Sequence, residues 1–180
     1  MYAVIFSSIF SRLLNEWLSL LIISDGGDAL TPEEKSLITD VIEANFKDLD
    51  FHERKLSNIV QPLAGYSGQE GASLSMRLRR WHSDGDKAWL FDNHEDNLSL
   101  ENNTIGFDIT SILDDPISRT PWLMYVFYRV NSLLNGQKTI IMLDEGWKML
   151  DDPAFALRIK DWMKTIRKLN GILGFATQSA

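Results

Sequence analysis

Cysteine is absent from the 180 residues. That excludes disulfides, zinc–thiolate sites and a cysteine nucleophile. Positive charge is scarce: 18 Lys and Arg stand against 25 Asp and Glu, a formal net charge of −7. A general nucleic-acid coat is therefore excluded, because most of the surface would repel a polyanion, although one local basic patch is not. Long apolar runs are missing too. The nearest is "MYAVIFSSIFSRLLNEWLSLLIISDGG", which Arg12, Asn15 and Glu16 interrupt before it reaches the roughly 18 to 20 apolar residues that span a bilayer. It has no basic leader and no small-residue cleavage site, so it reads as a core or partner-binding helix and not as a signal peptide. His52, His82 and His94 have no second ligand at metal spacing, and "DNHEDN" at 92–97 lacks the glycine and terminal glutamate of a calcium loop.

What is present is a hydrophobic share of 44%, enough to bury the core of one medium domain or of a core with a subdomain. The first half has helical rhythm. In "LTPEEKSLITDVIEANFKDL", Thr31 is placed as N-cap, Pro32 opens the helix and Glu34 closes a capping box. Leu37, Ile38, Val41, Ile42, Phe46 and Leu49 then keep the three-four spacing of one buried face. Shorter helices are predicted near 53–63 and 71–82, separated by the glycine-rich loop "AGYSGQEGAS".

The second half changes rhythm. "LSLENNTIGFDIT" reads as strand, polar turn and strand. "RTPWLMYVFYRVNSLLNG" reads as a buried helix capped by Thr120, opened by Pro121 and ended before Gly136. A strand at 139–143 follows, then a helix from Asp152-Pro153 to Asn170 stopped by Gly171, then a last strand in "ILGFATQSA". Alternating strands and helices with continuous apolar strands predict a parallel sheet covered on both faces. The expected division is a mainly helical subdomain over 1–95 and an α/β core over 96–180.

Such sheets deliver functional residues at the carboxyl ends of their strands. Asp144 and Glu145 end one strand; Thr177, Gln178 and Ser179 end the other. In phosphoryl-transfer sites an acid there assists magnesium, a second carboxylate can polarise water, and a neighbouring glutamine can orient that water. An isolated Asp-Glu pair is more often a solvated strand end. The tryptophans at 81, 89, 122, 147 and 162 read as core or interface fillers. Arg158, Lys160, Lys164, Arg167 and Lys168 read as a solvated face that complements the helix C-terminus, or as a contact to a neighbouring subunit.

"WLFDN" at 89–93, "GFDIT", "LDEGWKMLDDPAFALRIKDWMKTIRKLNG" and "GFATQSA" together resemble the CagE/TrbE/VirB family of type IV secretion and conjugation ATPases. The resemblance covers most of residues 13–180. It implies a partial RecA-like P-loop NTPase sheet with an N-terminal helical subdomain, and ATP with Mg²⁺ as cofactors. It also implies roles: Asp144 in the Walker B element beside Mg²⁺, Glu145 as catalytic base, Gln178 as sensor glutamine and Thr177 beside the nucleotide. Other secretion-system subunits are the implied partners, with homo-oligomers at the cytoplasmic face of the inner membrane. The phosphate cradle G-x-x-x-x-G-K-[ST] does not occur in the sequence; "AGYSGQEGAS" has no lysine and "NGQKT" at 135–139 lacks the spacing. The chain by itself is therefore expected to be inactive. It is expected to act as a truncated ATPase component, as a non-catalytic assembly module, or as one half of a split ATPase.

Overall fold

The computed structural model describes residues 8–24, 26–50, 53–65, 74–96, 98–144 and 153–176. The chain divides into two compact units, Met1–Leu98 and Ser99–Ala180.

The described part of the first unit is helical. α1 (Ser8–Ile23) buries Leu18, Leu21 and Ile22, so the interrupted apolar N-terminal stretch supplies a core helix. Its neighbour α2 (Pro32–Asp48) carries the expected capping box: the Glu34 N–H donates to Thr31 Oγ1 at 3.2 Å, and the Thr31 N–H donates to Glu34 Oε2 at 2.9 Å. Ile38, Val41 and Ile42 are buried, as their spacing requires. In α3 (Leu56–Leu63), Leu56, Ile59, Val60 and Leu63 repeat at helical spacing, and all four are buried. α4 (Leu74–Leu78) runs into a 3-10 turn over Arg79–Trp81, and α5 (Ala88–Phe91) follows.

Trp81 is fully buried, which obliges its indole N–H to find an acceptor. It donates to the Leu21 carbonyl at 3.2 Å, one of the carbonyls at the end of α1 that the helix itself leaves unbonded. Phe91 meets both Trp81 and Trp17, with ring centroids 5.6 and 4.9 Å apart. Trp89, two residues earlier, points the other way and is 64% exposed.

The second unit has α6 (Thr110–Leu113), α7 (Pro116–Leu133), β1 (Thr139–Asp144), α8 (Pro153–Lys168) and β2 (Gly171–Ala176). β1 and β2 form a two-stranded parallel sheet, so the fold is mixed α/β. Leu113, Leu123 and Ile159 make its core, with Ile109, Trp122, Phe127 and Leu143 packed against them. Phe127 of α7 stacks on Trp162 of α8, centroids 4.1 Å apart.

Four expectations change here. The two strands read in "LSLENNTIGFDIT" do not form among the described residues. Side chains bond the backbone there instead: Asp96 accepts from the Leu98 N–H and Asp108 from the Thr110 N–H, an alternative to a ladder. α7 begins one Pro earlier than expected. Asp115 caps it by accepting from the Ile117 N–H at 3.2 Å, Pro116 opens it, and Thr120 and Pro121 are buried inside its first turns. α8 is ended by Asn170, at φ 60°, and Gly171 is already the first strand residue. Among the described residues the sheet is covered on one face only: Ile140 is 70% exposed, Met142 62% and Ile172 64%.

Candidate functional site

β1 alternates strictly. Thr139, Ile141 and Leu143 are half-buried, while Ile140, Met142 and Asp144 are exposed. Because successive side chains take opposite faces, Leu143 joins the core and Asp144 is left on the open side. The parallel register pairs Thr139 with Gly171 and, five residues on, Asp144 with Ala176. Both strands therefore end level. The next residue in sequence after β1 is Glu145, and Thr177-Gln178 follow β2 in sequence. Glu145, Thr177 and Gln178 lie outside the described residues, as do Trp147 and most of "AGYSGQEGAS".

The register is fixed at the opposite end of the strands. Asn170 accepts the Thr139 N–H on its carbonyl at 3.3 Å and donates its side-chain amide to the Gly136 carbonyl at 2.8 Å. Asparagine tolerates the left-handed φ that turns α8 into β2. Sequence reading passed over it in favour of Gly171; the signal was the Asn-Gly pair itself, since asparagine serves as a helix terminator too. Asn170→Ala is expected to cost about 2 kcal/mol, from one lost hydrogen bond and an unfavourable αL residue. Faster hydrogen exchange at the Ile140–Asp144 amides, beside unchanged exchange in α2, would report it.

The basic residues of α8 resolve partly. Lys160, Lys164, Arg167 and Lys168 are all exposed, with Lys164 paired to Asp161 at 2.8 Å. That hydrogen bond holds the exposed Asp161 carboxyl below its usual pKa. A solvated face accounts for these contacts; the side chain of Arg158 lies outside the description.

"WLFDN" has a structural explanation in the first unit. The Asp92 carboxylate accepts the Ser57 N–H and the Ser83 N–H, each at 2.8 Å. It thereby caps the start of α3 and ties down the loop after Trp81. Burial alone would raise its pKa, but the two N–H donors outweigh burial and hold it below 3.8. A depressed folded pKa stabilises the fold above 3.8, and that contribution is lost as pH falls through the folded value. Asp92→Asn is therefore expected to lower stability by about 1–2 kcal/mol near neutrality. The gap to the wild type should close in acid, where Asp92 is itself neutral; thermal melts from pH 7 down to about pH 2 check this.

With this geometry in hand, comparison with known proteins assigns the class. The TraG P-loop domain profile matches residues 68–180. The chain belongs to the TraG P-loop domain family and is similar to VirB4-type type IV secretion system proteins. The type IV secretion system protein virB4 of Bartonella henselae is 39% identical over 92% of this chain and 20% of its own length. PtlC of Bordetella pertussis is 37% identical over 69% of this chain and 16% of its own. Protein virB4 of Agrobacterium fabrum is 31% identical over 92% of this chain and 20% of its own. The chain thus spans about a fifth of the length of these relatives. The resemblance drawn from the motifs holds. Among the described residues no helix is long and apolar enough to cross a membrane.

Proposed function

We propose that this chain carries the acidic and sensor-glutamine half of a Mg²⁺-ATP site in a RecA-like motor of type IV secretion. The supporting observation is the register that ends β1 at Asp144 level with Ala176 on β2. Adjacent strands then end side by side, with Glu145 next in sequence after one and Thr177-Gln178 next after the other, at the end of the sheet where α/β proteins bind ligands. An exposed carboxylate suits Mg²⁺, which keeps several waters and takes one or two protein carboxylates. Bound Mg²⁺ supplies charge neutralisation at transferring phosphates. With Mg²⁺-ATP bound, Asp144 would hold the hydrated ion, Glu145 would serve as base for the attacking water, and Gln178 and Thr177 would orient groups near the terminal phosphate. In the cell the motor works with other secretion-system subunits at the cytoplasmic face of the inner membrane, serving transfer or conjugation.

The phosphate cradle is not among these 180 residues. One acidic strand end cannot replace backbone amides and a lysine wrapped around a triphosphate. Calorimetric titration of the chain with Mg²⁺-ATP is expected to give a Kd weaker than about 1 mM, near −4 kcal/mol. Adding the P-loop-bearing segment of a virB4 relative should bring binding into the micromolar range and restore hydrolysis. Glu145→Gln should then keep binding and lose hydrolysis by roughly 10²–10⁴. Tight binding by the chain alone would sink the half-site reading.

A second reading has its own support. The exposed face of Ile140, Met142 and Ile172 suits a non-catalytic assembly module docking on another subunit. Stable oligomers that ignore nucleotide would favour it.

A further inference from the structure

The sequence holds two asparagine–glycine pairs, and both sit in the same tripeptide: Leu134-Asn135-Gly136 and Leu169-Asn170-Gly171. An asparagine followed by glycine is open to attack on its own side-chain amide. Glycine leaves the attacking backbone nitrogen unshielded and the chain free to turn. With the same residue on each side, the two asparagines have nearly equal intrinsic reactivity. The fold separates them.

Asn135 is exposed in the turn between α7 and β1. Its Oδ1 accepts the Gln137 N–H at 3.1 Å, which folds the side chain back across Gly136 and polarises its carbonyl. Gly136 stands at φ 91°, and among the described residues its own N–H donates to nothing. A Cβ added at Gly136 would meet no atom within 4 Å, so a ring has room to close there.

Asn170 is exposed as well, but it is occupied. Its Nδ2 donates to the Gly136 carbonyl at 2.8 Å, and its own carbonyl accepts the Thr139 N–H. Gly171 is the first residue of β2, paired with Thr139, and a Cβ there would collide with the Ile166 side chain. Ring closure at Asn170 therefore needs a broken hydrogen bond and a displaced strand end.

We propose that Asn135 is a site of spontaneous deamidation and isoaspartate formation, and that the fold shields Asn170 from the same reaction. The Gly136 nitrogen gives up its proton to base and attacks Asn135 Cγ. The bond from Cγ to the side-chain nitrogen breaks, and ammonia leaves with a proton from water. Water then opens the cyclic imide at either carbonyl, giving aspartate or isoaspartate; nothing is oxidised or reduced. Isoaspartate lengthens the main chain by one carbon directly before Gly136, whose carbonyl is the acceptor for Asn170. One slow reaction in an exposed turn thus releases the clamp that sets the strand register. The site is independent of the ATP half-site.

The test incubates the whole chain in mildly alkaline buffer, once folded and once in denaturant. Peptide mapping by mass spectrometry follows both asparagines, and isoaspartate methyltransferase labels the β-linked product. In the folded chain Asn170 is expected to convert roughly tenfold more slowly than Asn135, the effect of about one hydrogen bond on a barrier. In denaturant the two rates should converge. The isoaspartate form, separated by chromatography, should show severalfold faster hydrogen exchange at the Ile140–Asp144 amides than Asn135→Asp, which carries the charge on an ordinary backbone. Unchanged exchange in α2 shows that each form is folded. The proposal is overturned if Asn170 converts as fast as Asn135 in the folded chain, if the difference persists in denaturant, or if isoaspartate leaves β1 exchange unchanged.

Discussion

Replacing Glu34 with alanine is expected to lower the unfolding free energy by about 3–5 kcal/mol. Glu34 is 6% exposed and serves two elements at once. One carboxylate oxygen closes the capping box of α2 on Thr31; the other faces Arg77 of α4 at 3.7 Å. The Arg77 side chain is only 16% exposed, so removing the Glu34 carboxylate leaves a largely buried cation held by the Asp28 carbonyl without its counter-charge. Stranding a buried charge costs more than the pair itself contributes. Glu34→Gln keeps an oxygen for the Thr31 N–H and should lose less. Replacing both partners, as Glu34→Leu with Arg77→Met, should recover most of the loss. Chemical denaturation of the four proteins decides it. A cost below about 1 kcal/mol for Glu34→Ala would mean that water reaches the guanidinium freely.

Gly85→Ala should be nearly as harmful, at roughly 3 kcal/mol, and for a steric reason. A Cβ at this position would sit well inside contact distance of the Arg79 and Arg80 carbonyl oxygens. Those atoms are backbone and cannot swing aside as a side-chain tip can. Gly85 also donates its N–H to the His82 carbonyl and accepts from Ala88, so its own path is held on both sides. The variant should either open the 82–87 turn or lose stability across the unit. Amide exchange at Lys87 and Ala88, together with the melting temperature, separates these outcomes from a harmless substitution. An unchanged melt with unchanged exchange would show that the turn can yield.

Features decided by neighbours in sequence were legible in advance. The α2 capping box needs only Thr31, Pro32 and Glu34, and the strand at 139–144 announces itself by an apolar run that stops at a carboxylate. Helix starts were harder, because "DDPISRTPW" offers two cap-and-proline signals five residues apart. Asp115 prevails because α6 ends just before it and Thr120 is buried. The strands expected near 98–110 look right locally, yet a strand requires a neighbour that sequence alone does not supply. The Glu34–Arg77 pair and the Asp92 clamp join residues far apart in the chain, and no local pattern marks them. Asp144 was found at the strand end, but its presence on the open face follows from the register and from Leu143 turning to the core.

That register has a kinetic side. The partner of Thr139 is Gly171, and the same offset runs along the whole ladder, with α8 lying between. No pair in the sheet is local, so closing it incurs loop entropy before any strand contact compensates. Helical turns form in well under a microsecond to about a microsecond, whereas distant parallel pairing is intrinsically slow. α8 must therefore shorten the gap before the ladder can zip. During synthesis and refolding, the level strand ends that set Asp144 against Ala176 are among the last parts of this unit to take shape.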